Sequence, residues 1–188
     1  QLKTDPKKSR WWIGSSIAAA IALLLWLGLW QFQPVQPPLI TVETAFAEQQ
    51  TFTLPDGSKV ELNANSSLSF DSNWNDEEQR VVRLTGEAFF NVTKTGQKFF
   101  VLTDDLVIEV LGTSFNVNTH HDETKVFLEH GQVRLNFDSA QEAILMEPGD
   151  LVTYSQKTQI PRKIRSEPQE MISWRAGYVN LDATLEEI

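Results

Sequence analysis

The sequence contains no cysteine. That excludes a disulfide framework, a thiolate metal site and a cysteine nucleophile, and it leaves the redox character of the compartment to be read from other features. Positive charge is also scarce: 16 Lys and Arg stand against 25 Asp and Glu, for a formal net charge of −9. Lys3, Lys7, Lys8 and Arg10 against Asp5 make the first ten residues +3, leaving −12 for everything after them. An acidic body argues against direct nucleic-acid binding, because phosphate contacts need Lys and Arg. Long helical periodicity is missing between Thr41 and Ile160, which excludes a helical bundle for that stretch. What remains is a chain of 188 residues, 41% hydrophobic, enough for one ordinary domain with a real core and an appendage.

The appendage is at the N-terminal end. Trp11 to Phe32, WWIGSSIAAAIALLLWLGLWQF, is a run of 22 residues without a charge. As a helix it covers about 30 Å of hydrocarbon. Trp11, Trp12 and Trp30 sit near its ends, where an aromatic belt belongs, and the Lys/Arg cluster on the N-terminal side places residues 1–10 in the cytoplasm. A cleaved signal peptide shares the basic start, and TAFAEQ offers a small-x-small pair, Ala45 and Ala47. That pair lies well past the apolar run, beyond PVQPP, and the run is longer than a signal core, so a membrane anchor is preferred. Residues 33–40, QPVQPPLI, read as a Pro-rich spacer.

From 41 to 160 short β-branched and aromatic runs alternate with Gly, Asn and Asp. Strands are predicted near 51–54, 59–63, 67–70, 81–85, 88–93, 98–102, 106–111, 114–118, 124–129, 132–137, 142–146 and 150–155. The fold class is therefore all-β. LPDGSKVEL, LTGEAFFNV, VLGTSFNV, LEHGQVRLNF and MEPGDLVTY each set apolar residues around a glycine. Gly57, Gly86, Gly112, Gly131 and Gly149 recur at spacings of 18 to 29, as in a jelly roll or a solenoid-like stack of hairpins. Beyond 160 the character changes. Residues 161–188 read as a linker and the start of a second, α+β domain, with LDATLEEI as a helix start capped by Asp182.

Taken in order, LPDGSKVELNANSSLSF, RVVRLTGEAFFNV, KFFVLTDDLVIEVLGTSFNV, KVFLEHGQVRL and MEPGDLVTY resemble the FecR family of transmembrane sigma-factor regulators, over roughly 41–154. SWRAGYVNLDATLEEI is similar to the join to that family's second periplasmic domain. The resemblance implies a single-pass protein of the bacterial inner membrane, with its N-terminus cytoplasmic and its C-terminal part periplasmic. It implies an anti-sigma role, relaying a signal from the signalling domain of an outer-membrane TonB-dependent transporter to an extracytoplasmic-function (ECF) sigma factor. Periplasmic and intramembrane proteases are further implied partners. The family pattern also implies more cytoplasmic sequence before the span, and a fuller second domain after 188, than this chain carries.

The resemblance further marks Gly112 and Thr113 as a self-cleavage pair. The chemistry is sound: a hydroxyl attacks the preceding carbonyl in an N-to-O acyl shift, and water then opens the ester. Thr113 supplies the hydroxyl, while Gly112 supplies an uncrowded carbonyl and a backbone able to hold a strained turn. The pieces are expected to stay together because strands on either side of the cut pair with each other. Taken alone, a Gly-Thr pair in a β-domain reads as a bulge. No general base is assigned, since His120 and His121 fall in a predicted loop. Apart from this single turnover no enzyme activity is expected.

Two other classes are weighed. A metal-dependent cupin-like enzyme is invited by His120, His121, Asp122, Glu123 and MEPGD, but adjacent histidines point to opposite faces and no third histidine lies near PGD. No metal or cofactor is expected. An anchored β-domain that binds glycan or peptide, without a sigma factor, is the alternative function. Asp104 with Asp105, and Asp76 with Glu77 and Glu78, read as solvated loop charges. Phe89, Phe90, Phe99, Phe100 and Phe115 read as core, and Trp74 and Trp174 as aromatics with a surface role.

Overall fold

The computed structural model describes residues 39–72, 74, 79–137 and 142–176, together with Leu23 and Trp26. The chain divides into two compact units, Gln1–Gln36 and Pro37–Ile188. In the first, Leu23 and Trp26 are helical and exposed. The rest of the expected span, the basic segment 1–10, the acidic group 76–78 and the expected helix at LDATLEEI lie outside the described residues. Among the described residues, no helix is long and apolar enough to cross a membrane.

In the second unit the strands are β1 (Leu39–Thr44), β2 (Gln50–Thr53), β3 (Lys59–Leu62), β4 (Ser66–Asp71), β5 (Arg80–Thr85), β6 (Glu87–Asn91) and β7 (Phe99–Leu102). They continue as β8 (Leu106–Val110), β9 (Ser114–Asn118), β10 (Thr124–His130), β11 (Val133–Phe137), β12 (Ile144–Met146), β13 (Asp150–Tyr154) and β14 (Arg162–Arg165). A short helix α1 (Pro168–Ile172) and a 3-10 turn (Ser173–Ala176) follow. The strands make two seven-stranded sheets, β1-β4-β5-β7-β8-β11-β12 and β14-β13-β10-β9-β6-β3-β2. Among the described residues, only β5 and β7 pair in parallel. Read from one edge, each sheet keeps the order of the chain, because successive hairpins are laid alternately into one sheet and the other.

The glycine repeat marks where the chain changes sheet. Gly86, Gly112, Gly131 and Gly149 sit at the β5–β6, β8–β9, β10–β11 and β12–β13 corners, and Gly57 turns the β2–β3 hairpin. Inward residues alternate with outward ones along β4 and β8, the period of a strand with one buried face. One apolar cluster joins the two sheets. Within it Phe90 stacks on Phe115 at 5.2 Å and meets Phe99 of the facing sheet at 6.2 Å. Each such ring contributes about 1.5–3 kcal/mol by leaving water.

All twelve predicted strands are present. Two more were not expected. Leu39 and Ile40, assigned to the spacer, begin β1 and pair with Asp71 and Phe70. Arg162–Arg165, assigned to the linker, form β14 against β13. Of the five phenylalanines, Phe90, Phe99 and Phe115 lie in the core cluster, whereas Phe100 is half-buried. Phe89 is buried on the opposite face of its sheet, where the Arg175 guanidinium lies 3.6 Å from its ring centroid. Arg175 also donates two bonds to the Glu61 carboxylate, which ties the 173–176 turn to that outer face. Trp74 packs on Phe70 and Phe99 rather than standing free. Trp174 is half-buried, and its backbone carbonyl accepts a bond from Gln49.

Candidate functional site

Val110 ends β8 in one sheet and Ser114 begins β9 in the other, so Leu111, Gly112 and Thr113 form the corner between them. Leu111 is half exposed, while Thr113 is only 4% exposed. Gly112 was expected to hold a strained turn, yet it lies outside the left-handed region. The need for glycine there is one of space: an added Cβ would stand 2.7 Å from Lys94 Cβ and 3.0 Å from Lys94 Cα.

Thr113 is held from two sides. Its carbonyl accepts from the Val92 amide at 2.9 Å, and its Oγ1 donates to the Gln132 carbonyl at 2.9 Å. With its proton engaged there, the hydroxyl oxygen keeps its lone pairs for other directions. Gly131, at φ +95°, packs directly over this pair: a Cβ on it would lie 2.9 Å from Thr113 Oγ1 and 3.0 Å from the Gly112 carbonyl oxygen.

The segment that supplies Val92 and Lys94 is itself fixed by a buried ion pair. Arg80 is 1% exposed and bonds Asp56 at 2.5 Å. The same guanidinium donates to the carbonyls of Thr93 and Gln97, and at 3.4 Å to that of Leu111, one residue before Gly112. Ser58 closes the network, donating to Asp56 and accepting from the Thr93 amide. A cleft of about 530 Å³ opens over the corner, with Lys94, Glu109, Leu111, Gly112, Thr113 and Arg134 in its wall. In chemical terms the arrangement is a buried, oriented hydroxyl next to the carbonyl of a residue without a side chain, under the Gly131 turn and at the wall of an open cleft.

His120 and His121 are not part of it. They lie beyond the other end of β9, roughly 15 Å of strand away. His121 and Asp122 take positive φ in the β9–β10 turn, and Asp122 pairs with Lys157. Asp105, expected to be a solvated charge, accepts from Thr124 Oγ1 at 2.7 Å and from the Gln156 amide at 3.2 Å. Among the described residues, no three His, Asp or Glu side chains converge as metal ligands would.

Sequence reasoning missed Asp56, Arg80, Lys94, Gly131 and Gln132 as a group. One signal was legible: Arg80 is in phase with Val82 and Leu84, both inward-facing, so the alternation itself put a charge in the core.

The sequence profile described as "FecR protein" matches residues 40–134. None of the curated protein sequences matches the chain. Two crystal structures of a "putative anti-sigma factor" from Parabacteroides distasonis, at 2.50 and 1.65 Å, are similar to it at 27% identity. Their TM-scores are 0.69 and 0.68, over 74% and 73% of this chain. The chain in turn spans 66% and 65% of the length of those structures.

Proposed function

The chain belongs to the FecR family, and on that premise we propose that it is a single-pass inner-membrane sigma-factor regulator. Residues 1–10 are cytoplasmic, 11–32 are the transmembrane helix and 33–38 the spacer; the periplasmic β-domain runs from β1 to β14, residues 39–165, and 166–188 follow it. The protein relays a signal from an outer-membrane TonB-dependent transducer to an ECF sigma factor, with anti-sigma activity on the cytoplasmic side. The observation that carries this reading is the family match over 40–134. The similarity to a protein described as an anti-sigma factor adds to it.

The same reading includes one self-cleavage. Thr113 Oγ1 attacks the Gly112 carbonyl carbon, the Gly112–Thr113 C–N bond breaks, and the hydroxyl proton passes, in balance, to the Thr113 nitrogen. Water then opens the ester, giving a Gly112 carboxylate and a free Thr113. The buried hydroxyl and the open cleft favour this chemistry. No strong base stands in the described contacts of Thr113, and an acyl shift made slow by that lack still completes, because each chain turns over once.

Two measurements test the proposal. Denaturing intact mass of the chain is expected to give two fragments meeting at Gly112 and Thr113, retained in Thr113→Ser and lost in Thr113→Ala. One intact mass for all three ends the cleavage reading. Deletion of the gene is expected to shift transcription of a single ECF sigma regulon; an unchanged transcriptome favours the anchored glycan- or peptide-binding domain instead.

A further inference from the structure

Thr113 needs an element that aims it, and the contacts at the corner point to the β10–β11 turn. We propose that Gly131–Gln132 is the positioning element of the cleavage and that Gly131 must lack a side chain for the acyl shift to proceed. This inference rests on the self-cleavage reading and assigns a role to residues outside the Gly-Thr pair.

Three observations carry it. The Gln132 carbonyl is the acceptor for the Thr113 hydroxyl, at 2.9 Å, so the turn fixes the rotamer of the attacking oxygen. The hydrogen of Gly131 that a side chain would replace points at both reacting partners, since a Cβ there comes within 2.9 Å of Oγ1 and 3.0 Å of the Gly112 oxygen. The turn is anchored on both sides, because β10 is bonded to β13 as well as to β9, and β11 to β12 as well as to β8. The turn therefore stands over the nucleophile and the scissile carbonyl together, with room there only for a glycine.

The acyl shift needs room at that place. As Oγ1 bonds to the Gly112 carbon, the carbonyl carbon becomes tetrahedral and its oxygen swings out of the peptide plane while gaining charge. A methyl group at Gly131 competes for that volume and displaces Oγ1 from Gln132. Misplacement by about 1 Å costs on the order of a hundredfold in rate when geometry supplies the acceleration. Gly131 and Gln132 are positioning residues; Thr113 alone is the nucleophile.

The experiment follows cleavage of the 188-residue chain after timed in vitro translation, by denaturing mass, in wild type and in Gly131→Ala, Gly131→Asn and Gly149→Ala. Gly149 has φ +87°, close to that of Gly131, and its added Cβ would meet only the flexible Arg165 side chain, at 3.3 Å. Gly149→Ala therefore reports the backbone strain without the crowding. Asn tolerates positive φ better than Ala, which keeps a folded variant in hand if Gly131→Ala does not fold. Each sample is also treated with hydroxylamine, which cuts an ester but not an amide.

The expected result is cleavage in wild type and Gly149→Ala. Both Gly131 variants, folded by near-ultraviolet dichroism, slow about a hundredfold and hold no hydroxylamine-sensitive ester. Wild-type rates in a folded Gly131 variant overturn the positioning role while leaving self-cleavage intact. An ester that accumulates in those variants also overturns it, since the block would then lie in hydrolysis. If the wild type itself stays whole and holds no ester, the self-cleavage reading falls first and this inference with it.

Discussion

Arg80 shows how one residue organises a corner at a distance from itself. Its guanidinium is buried, paired with Asp56, and spread over the carbonyls of Thr93, Gln97 and Leu111. Removing one partner of a buried pair leaves an uncompensated charge and costs about 3–5 kcal/mol. Arg80→Met is therefore expected to lower the urea unfolding free energy by that amount. Adding Asp56→Asn to it should recover part of the loss, because the stranded carboxylate is gone. Additive losses would instead mean that Arg80 acts through its carbonyl contacts and that the charge pair is incidental. The sequence displayed Arg80 plainly, at an inward position of an alternating strand. Its partner was hidden, since Asp56 in PDGS reads as an ordinary turn residue.

At the scale of elements, the β12–β13–β14 corner depends on Asp150. Burial alone would raise its carboxyl, but the Glu147 amide at 2.6 Å, Lys163 and Arg165 outweigh burial and hold it below its ordinary value of 3.8. A carboxyl depressed in the fold adds stability that is fully present above its unfolded value and is lost as pH falls through the folded one. Asp150→Asn is thus expected to cost about 1 kcal/mol near pH 6, mostly through the Glu147 bond, because Lys163 and Arg165 are exposed and screened. The gap between variant and wild type should close as pH drops below 3.8, followed by urea melts at fixed pH. A gap that persists at low pH would show the side chain acting by shape alone. This corner also marks the limit of what the sequence made legible. Alternation identified strands with one buried face, but β14, RKIR, is exposed at every position. Its register comes from backbone bonds to β13 and from cations meeting Asp150, which no period reveals. Likewise Phe89 reads as core because nothing local says that Arg175, far along the chain, covers the other face of its sheet. The candidate Gly-Thr pair was legible through the family pattern. The Gly131–Gln132 turn above it was not, because it meets Thr113 only once the two sheets are stacked.

For the whole molecule, the position of the proposed cut matters more than its chemistry. Strands on either side of the cut pair across it, as expected, although β8 and β9 themselves do not pair with each other. They lie in different sheets, and each is bonded to a strand from beyond the cut: β8 to β11, through five residue pairs, and β9 to β6, through five more. A break between Gly112 and Thr113 therefore leaves one inter-fragment seam in each sheet, and the core beneath, with Phe90 of one fragment stacked on Phe115 of the other, stays closed. Chain order in both sheets rises steadily across the seam, so neither fragment has to thread through the other to assemble. Residues 1–112 and 113–188 made as two separate chains are accordingly expected to associate into one particle with the intact β-domain's circular dichroism, and to part only at denaturant concentrations that unfold the sheets. Fragments that separate on native size exclusion would show that the covalent corner, and not the paired seams, keeps the two halves together. A cleaved regulator could not then hold its periplasmic domain as one body while its signal passes.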